Sequence, residues 1–412
     1  LGPEMTEHDL GPWSGDLNWH ALDPYPDFLA RRTGDQEEWV VGVAAQEVSS
    51  VQPPGEGNGA FGHIGYDVKN AFENLSSRHP EQDGFPVMKW WSPRFIIHIQ
   101  QGKVILHAED TDLPEGLALL QEFTAKPDPI GPFPRATWFR TTSRERYLEH
   151  VRKLLGHIQR GDIYEVNYCT QRTAVLENFD PYGAFTKLLA HSDAPFSAFL
   201  RSGENFALCA SPERFLRIEG DRVISQPMKG TRPRGRSMAE DSALAEELAR
   251  DPKERSENIM ALDVARNDLS RIATSGSVQV EELCEVKSYP SVHQMVSTVV
   301  ARIRPGLSMM DVLRATFPMA SMTGAPKIRA MQLIDDVEDM RRGLFSGTIG
   351  YFLPDGTADL NVVIRTITIN ASTGHASLIS GGAITAASDP MQEFAECELK
   401  ARSVLNAFGH AC

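Results

Sequence analysis

Apolar residues return every three to four positions at Tyr147, Val151, Leu154, Leu155 and Ile158, and the pattern stops at Gly161. This period predicts an amphipathic helix, and Thr142 with Glu145 three residues on reads as its capping box. The stretch 242–271 repeats the period with a break near Asp251-Pro252, and a last helix is expected over 390–407. Elsewhere shorter runs rich in Val, Ile and Phe read as strands: 39–45, 95–100, 103–108, 196–200, 206–210, 215–218, 341–352 and 360–369. A loop is expected at 55–59 and a turn at Gly381-Gly382. Four prolines from Pro127 to Pro134 mark a boundary, dividing the chain into an amino-terminal part, 1–136, and a core, 137–412.

Composition narrows the class. A chain of 412 residues with 41% hydrophobic and 23% charged residues can bury a sizeable core. Its net charge of −14 argues against nucleic acid and anionic membranes as partners. No apolar run approaches the roughly 18 residues of a membrane helix, and residues 1–10 carry acids and Pro where an export signal carries bases and an apolar run. Cys169, Cys209, Cys284, Cys397 and Cys412 form no CxxC pair, which fits reduced thiols and a cytoplasmic protein.

Several side chains could carry chemistry. Glu393, Glu396 and Lys400 share one face of the expected last helix, and Glu254 and Glu257 lie together on the helix after Pro252. Two such helices could hold a hard divalent cation such as Mg²⁺, although a solvated helix face is the plainer reading of any one pair alone. Lys229 stands between Met228 and Gly230; crowding by Arg232 and Arg234 would lower its pKa and free a nucleophilic amine. Glu213, on a turn between strands, would become a general acid if buried, or else pair with Arg214. The amides after Thr323-Gly-Ala-Pro-Lys327 suit an anion, and Arg365, in an otherwise apolar strand, needs a carboxylate partner.

Taken in order, Ser211-Pro-Glu213, Pro227-Met-Lys-Gly-Thr231, Glu257-Asn-Ile-Met-Ala-Leu-Asp263 with Arg266-Asn-Asp268, Thr323-Gly-Ala-Pro-Lys327, Gly347-Thr-Ile-Gly-Tyr351, Ile364-Arg-Thr366 and Glu393-x-x-Glu396-x-x-x-Lys400 resemble the motifs of the chorismate-utilising enzymes. The resemblance implies an α/β fold of one large domain, two packed sheets flanked by helices in an αββα sandwich. It also implies Glu257 and Glu396 as Mg²⁺ ligands, supported by Glu254 and Glu393. Arg365, helped by Lys400 and the amides near Gly382, would clamp the enolpyruvyl carboxylate of the substrate, and the metal would hold its ring carboxylate. Ser321 and Thr323 would line the pocket, and His293 would sit by the ring unless it is a core histidine satisfied by backbone. Ala383 stands where a third glycine is usual.

Within that family, lysine at position 229 resembles the branch that forms 4-amino-4-deoxychorismate for 4-aminobenzoate and folate; the anthranilate-forming branch is the alternative. The implied route has Lys229 attack ring C2 while Glu213 protonates the departing 4-hydroxyl, after which ammonia enters at C4. Glu165 stands where isochorismate-forming relatives have a lysine base and amine-transferring ones usually a glutamine, and its role is open. The sequence contains no Gly-x-Cys-x-Gly turn, so ammonia is expected from a separate glutamine amidotransferase subunit.

Overall fold

Along the strand Asp27–Arg32, Phe28 and Ala30 enter one hydrophobic core and Leu29 another. The strands Trp39–Ser49, Met88–Gln100, Ala198–Ser202 and Asn205–Cys209 alternate in the same way, with Val41, Ile97, Phe199 and Leu208 on one side and Val40, Ile96, Leu200 and Ala207 on the other. Period-two side chains buried on both faces require a layer above and a layer below. The computed structural model describes residues 5–408 except 14, 35–37, 50–58, 82, 128, 132–135 and 290–291. Most of the expected 55–59 loop and much of the proline boundary therefore lie outside the described residues.

Among the described residues twenty strands form one hydrogen-bonded network that folds over on itself. One half runs through Glu165–Val175, His375–Thr385, Thr366–Asn370, Asn205–Cys209, Ala198–Ser202, Asp27–Arg32 and Trp39–Ser49, each antiparallel to the next. The other runs through Ala60–Ile64, Thr348–Phe352, Ala358–Asn361, Arg214–Glu219, Arg222–Ser225 and Val292–Arg302, with Met228–Pro233 also on Val292–Arg302. Met88–Gln100 belongs to both halves: its first residues pair with Ala60–Ile64 and its later ones with Trp39–Ser49.

Leu29, Leu200 and Ala207 from the first half meet Phe61, Ile349 and Tyr351 from the second in the core between the sheets. On the outer face of the first half lie the helices Leu113–Phe123 and Pro181–Ser192 and the end of Pro390–Leu405. The helices Pro252–Ser270 and Met309–Thr316 cover the second. The result is the helix, sheet, sheet, helix layering that the sequence led us to expect. Strands from 1–136 are built into both sheets, through the pairings of Asp27–Arg32 with Ala198–Ser202 and of Ala60–Ile64 with Thr348–Phe352.

Several local expectations are corrected. The helix Arg144–Gln159 is capped by Ser143, whose hydroxyl accepts from Arg146 N, while Thr142 donates to Asp339. The 341–352 strand begins only at Thr348. The 360–369 strand is broken: Ala358–Asn361 belongs to one sheet and Thr366–Asn370 to the other. Gly381 and Gly382 are not a turn but lie inside the long strand His375–Thr385.

Candidate active site

The chain passes between the sheets at two adjacent places, 210–213 and 362–365. There Ala210 N donates to Arg365 O at 3.1 Å and Val362 N to Glu213 O at 3.1 Å. Glu213 and Arg365 thus sit on two crossovers joined to each other by backbone hydrogen bonds. The Ser211 hydroxyl accepts from Glu213 N at 3.2 Å and fixes the turn. Arg214 does not pair with Glu213; it holds Asp359 and Gln226 instead. Buried and, among the described residues, without a salt bridge, the Glu213 carboxyl has its pKa pushed up to about 7 by desolvation, against the pull of Ser321 and Lys229. The Ser321 hydroxyl is buried nearby, facing the Glu213 carboxyl. With Glu213 it lines a cavity of about 10 Å³.

Lys229 enters from the strand Met228–Pro233, which pairs with Val292–Arg302 through a bulge between Lys229 and Thr231. Gly230 makes the bulge with φ +78°; a Cβ there would lie 2.9 Å from Glu254 Oε2. The crowding by arginines expected from the sequence is absent, because Arg232 reaches Glu247 and Asp251, and Arg234 reaches Asp241. Instead Lys229 Nζ donates to Glu165 Oε1 at 2.7 Å, both side chains being buried. Burial pulls the Lys229 pKa down, but the Glu165 and Glu257 carboxylates more than offset it and the net shift is upward. Lys229 rests as an ammonium with a carboxylate in contact.

The four carboxylates of the expected metal site come from two helices. Asp251 caps Pro252–Ser270 by accepting from Lys253 N and Glu254 N, which sets the break read in the sequence. Glu257 is buried, its pKa pushed up to about 7 by desolvation against the attraction of Lys229, and its Oε1 makes no hydrogen bond. Glu254 is also shifted up, by burial and then by Asp251. From the closing helix, Glu393 is buried, and Glu396 is shifted down by Lys400, whose Nζ lies 2.7 Å away. Lys253 reaches across, 3.4 Å from Glu393 Oε1 and 3.9 Å from Glu257 Oε1. Among the described residues no three His, Cys, Asp or Glu side chains form a ready-made metal centre. The donor set still suits a hard cation: four carboxylates from two helices, Glu254 and Glu257 among them with raised pKa values, and a lysine ammonium already held between the two helices.

Lys400 also donates to Gly381 O at 3.0 Å. The open side of Gly382 faces the same place: a Cβ there would lie 3.6 Å from Glu393 Oε2 and 3.7 Å from Lys400 Nζ. Ala383, next along the pleat, projects to the opposite face. Arg365 is not a strand residue as expected; it bends at φ +52°, and Nη1 donates to Ser403 Oγ at 3.2 Å. Its pKa is shifted down by burial, against the opposing charge of Glu396. Among the described residues this half-buried guanidinium has no carboxylate within salt-bridge distance.

Two expected site residues are differently employed. His293 is buried with Nδ1 2.8 Å from Ser288 Oγ and Nε2 3.0 Å from Asp241 Oδ1, so both ring nitrogens are engaged by structural partners. The Thr323 hydroxyl donates to Met319 O at 3.1 Å and closes the short helical turn Ala320–Met322. Conversely, Glu165, Lys253 and Ser403 are site neighbours that sequence reasoning did not assign. Two of them carried a signal: Glu165 its motif position, and Lys253 its spacing of four from Glu257 on one helix.

The family model for chorismate binding enzymes matches residues 17–406. This chain belongs to the chorismate-binding enzymes. Within the family it is 39% identical over 354 residues to aminodeoxychorismate synthase component 1 of Klebsiella aerogenes, covering 84% of this chain and 76% of the relative. It is 37% identical over 360 residues to anthranilate synthase component 1 of Thermus thermophilus, covering 85% and 77%. It is 46% identical over 264 residues to aminodeoxychorismate synthase of Streptomyces griseus, covering 64% of this chain and 36% of that longer protein. Two solved chorismate-binding enzymes share the fold. Anthranilate synthase component I of Streptococcus pneumoniae superposes with a TM-score of 0.75 at 23% identity, over 98% of this chain and 92% of that one. The menaquinone-specific isochorismate synthase of Escherichia coli gives 0.77 at 17%, over 98% and 95%. No described helix is long and apolar enough to cross a membrane.

Proposed function

We propose that the chain replaces the 4-hydroxyl of chorismate with an amino group, forming 4-amino-4-deoxychorismate, with ammonia delivered by a separate glutamine amidotransferase subunit. The observation that carries this reading is a largely buried lysine, Lys229, close enough for its charge to act on a buried acid, Glu213, whose pKa lies near 7. Relatives named aminodeoxychorismate synthase support it, and "component 1" in such names implies a second component.

The residues divide the work as follows. The Lys229 ammonium passes a proton to Glu165, and the neutral amine adds to ring C2. The ring double-bond electrons shift toward C4, and the hydroxyl leaves as water with the proton of Glu213. Ammonia then adds at C4 and gives a proton to the Glu213 carboxylate; the electrons shift back, and lysine departs and recovers its proton from Glu165. Arg365 receives one substrate carboxylate, supplying the anion its guanidinium lacks. Glu257 and Glu396, with Glu254 and Glu393 beside them, would hold Mg²⁺, which when bound neutralises the other carboxylate.

A second reading, anthranilate formation, draws on the Thermus thermophilus relative. Incubation with chorismate, Mg²⁺ and ammonium separates the two by product; fluorescent anthranilate formed without a lyase overturns the first. Mass spectrometry of protein held with chorismate and no ammonia should find an adduct on Lys229. Lys229→Ala should abolish both adduct and turnover, and full turnover by that variant removes the covalent route.

A further inference from the structure

Lys253 occupies the first turn of the helix Pro252–Ser270, where the aligned peptide dipoles disfavour a cation. Its ammonium nevertheless lies between Glu393 Oε1 on the closing helix, at 3.4 Å, and Glu257 Oε1 on its own helix, at 3.9 Å. The other two carboxylates have cations of their own: Arg232 Nη1 lies 3.7 Å from Glu254 Oε1 and Lys400 Nζ lies 2.7 Å from Glu396 Oε1. Among the described residues, Glu257 and Glu393 have Lys253 alone as cation within 4.0 Å, while both are buried and Glu257 Oε1 has no hydrogen-bond partner there. The Lys253 side chain is 41% exposed, so its flexible stem can carry the ammonium out to water.

We propose that Lys253 is the resident counter-ion of this carboxylate cluster, standing between Glu257 and Glu393 until a divalent cation displaces it to solvent. The inference rests on the reading of those carboxylates as the metal site. An ammonium and a divalent cation repel each other at such range, so the two exchange and do not share the site. The lysine keeps the metal-free fold from carrying two uncompensated buried charges, at the cost of weaker metal binding. The same exchange predicts that metal and Lys253 substitute for one another in stabilising the fold.

The test uses the whole chain without substrate. Calorimetric titration with Mg²⁺, and with Mn²⁺ as a second probe, should give about tenfold tighter binding in Lys253→Met than in the parent, since the competing cation is gone. Lys253→Arg, which keeps the charge, should bind as the parent does. Without metal, Lys253→Met should melt below the parent, and saturating Mg²⁺ should close most of that gap. Equal or weaker binding by Lys253→Met, or a melting deficit that persists in Mg²⁺, overturns the proposal. If both proteins bind equally, the metal site stands and only the role of Lys253 falls. If neither binds either ion, the metal reading fails and the proposal with it.

Discussion

Glu213 and Lys229 are both buried, and burial acts on them in opposite senses. Without a salt bridge among the described residues, the Glu213 carboxyl keeps its proton up to about pH 7; beside Glu165, the Lys229 ammonium keeps its own. Turnover should therefore fall as pH rises through about 7, because the acid that releases the hydroxyl is lost. Glu213→Gln should lower kcat by about 10²-fold or more, the usual worth of a positioned acid, and the steady-state rate against pH checks both points. The folded protein holds the Glu213 proton more tightly than the unfolded chain does, so Glu213 weakens folding progressively from the ordinary carboxylate range up through about pH 7. Above pH 7, Glu213→Gln should be at least as resistant to urea as the parent, which separates lost chemistry from lost fold. At this scale the sequence was a partial guide. A carboxyl on a Ser-Pro-Glu turn was visible as an acid, and Glu165 stood out at a motif position, but its contact with Lys229, 64 positions downstream, is not written in any local pattern. Ser288 and Asp241, which engage the His293 ring, are likewise invisible to motif reading.

Among the elements, the helices were the most legible, since one buried stripe leaves a clear period and Asp251 punctuates the Met238–Arg250 and Pro252–Ser270 pair. The 360–369 run misled because Val362 and Val363 have strand composition but enter different cores, one outside the second sheet and one between the sheets. An apolar crossover and an apolar strand look alike in sequence. Gly230 is the element-scale feature most open to test. With φ +78° and Glu254 and Leu248 within 3.0 Å of a Cβ, Gly230→Ala should cost about 1–3 kcal/mol of stability, read by urea denaturation, and should push the carboxylate helix away from Lys229. An unchanged denaturation midpoint would mean that the bulge relaxes freely.

Across the whole molecule, Asp359 ties the two sheets together. Its carboxylate accepts from Arg31 Nη2 at 3.0 Å, on the first sheet, and from Arg214 Nη2 at 3.0 Å, on the second; all three side chains are largely buried. Asp359→Asn would leave two buried guanidiniums without their anion and should destabilise the protein by about 3–5 kcal/mol, measurable as a lowered melting temperature. The layered architecture was legible only through resemblance to a family, because the pairings that define it join segments hundreds of residues apart. Those pairings also bear on how the protein is made. At a synthesis rate of about 5–20 residues per second, Ala60–Ile64 leaves the ribosome about 15–60 seconds before its neighbour Thr348–Phe352 exists. For that interval a nascent hydrophobic strand has one edge unclaimed, so chaperone binding during translation should concentrate on the first hundred residues.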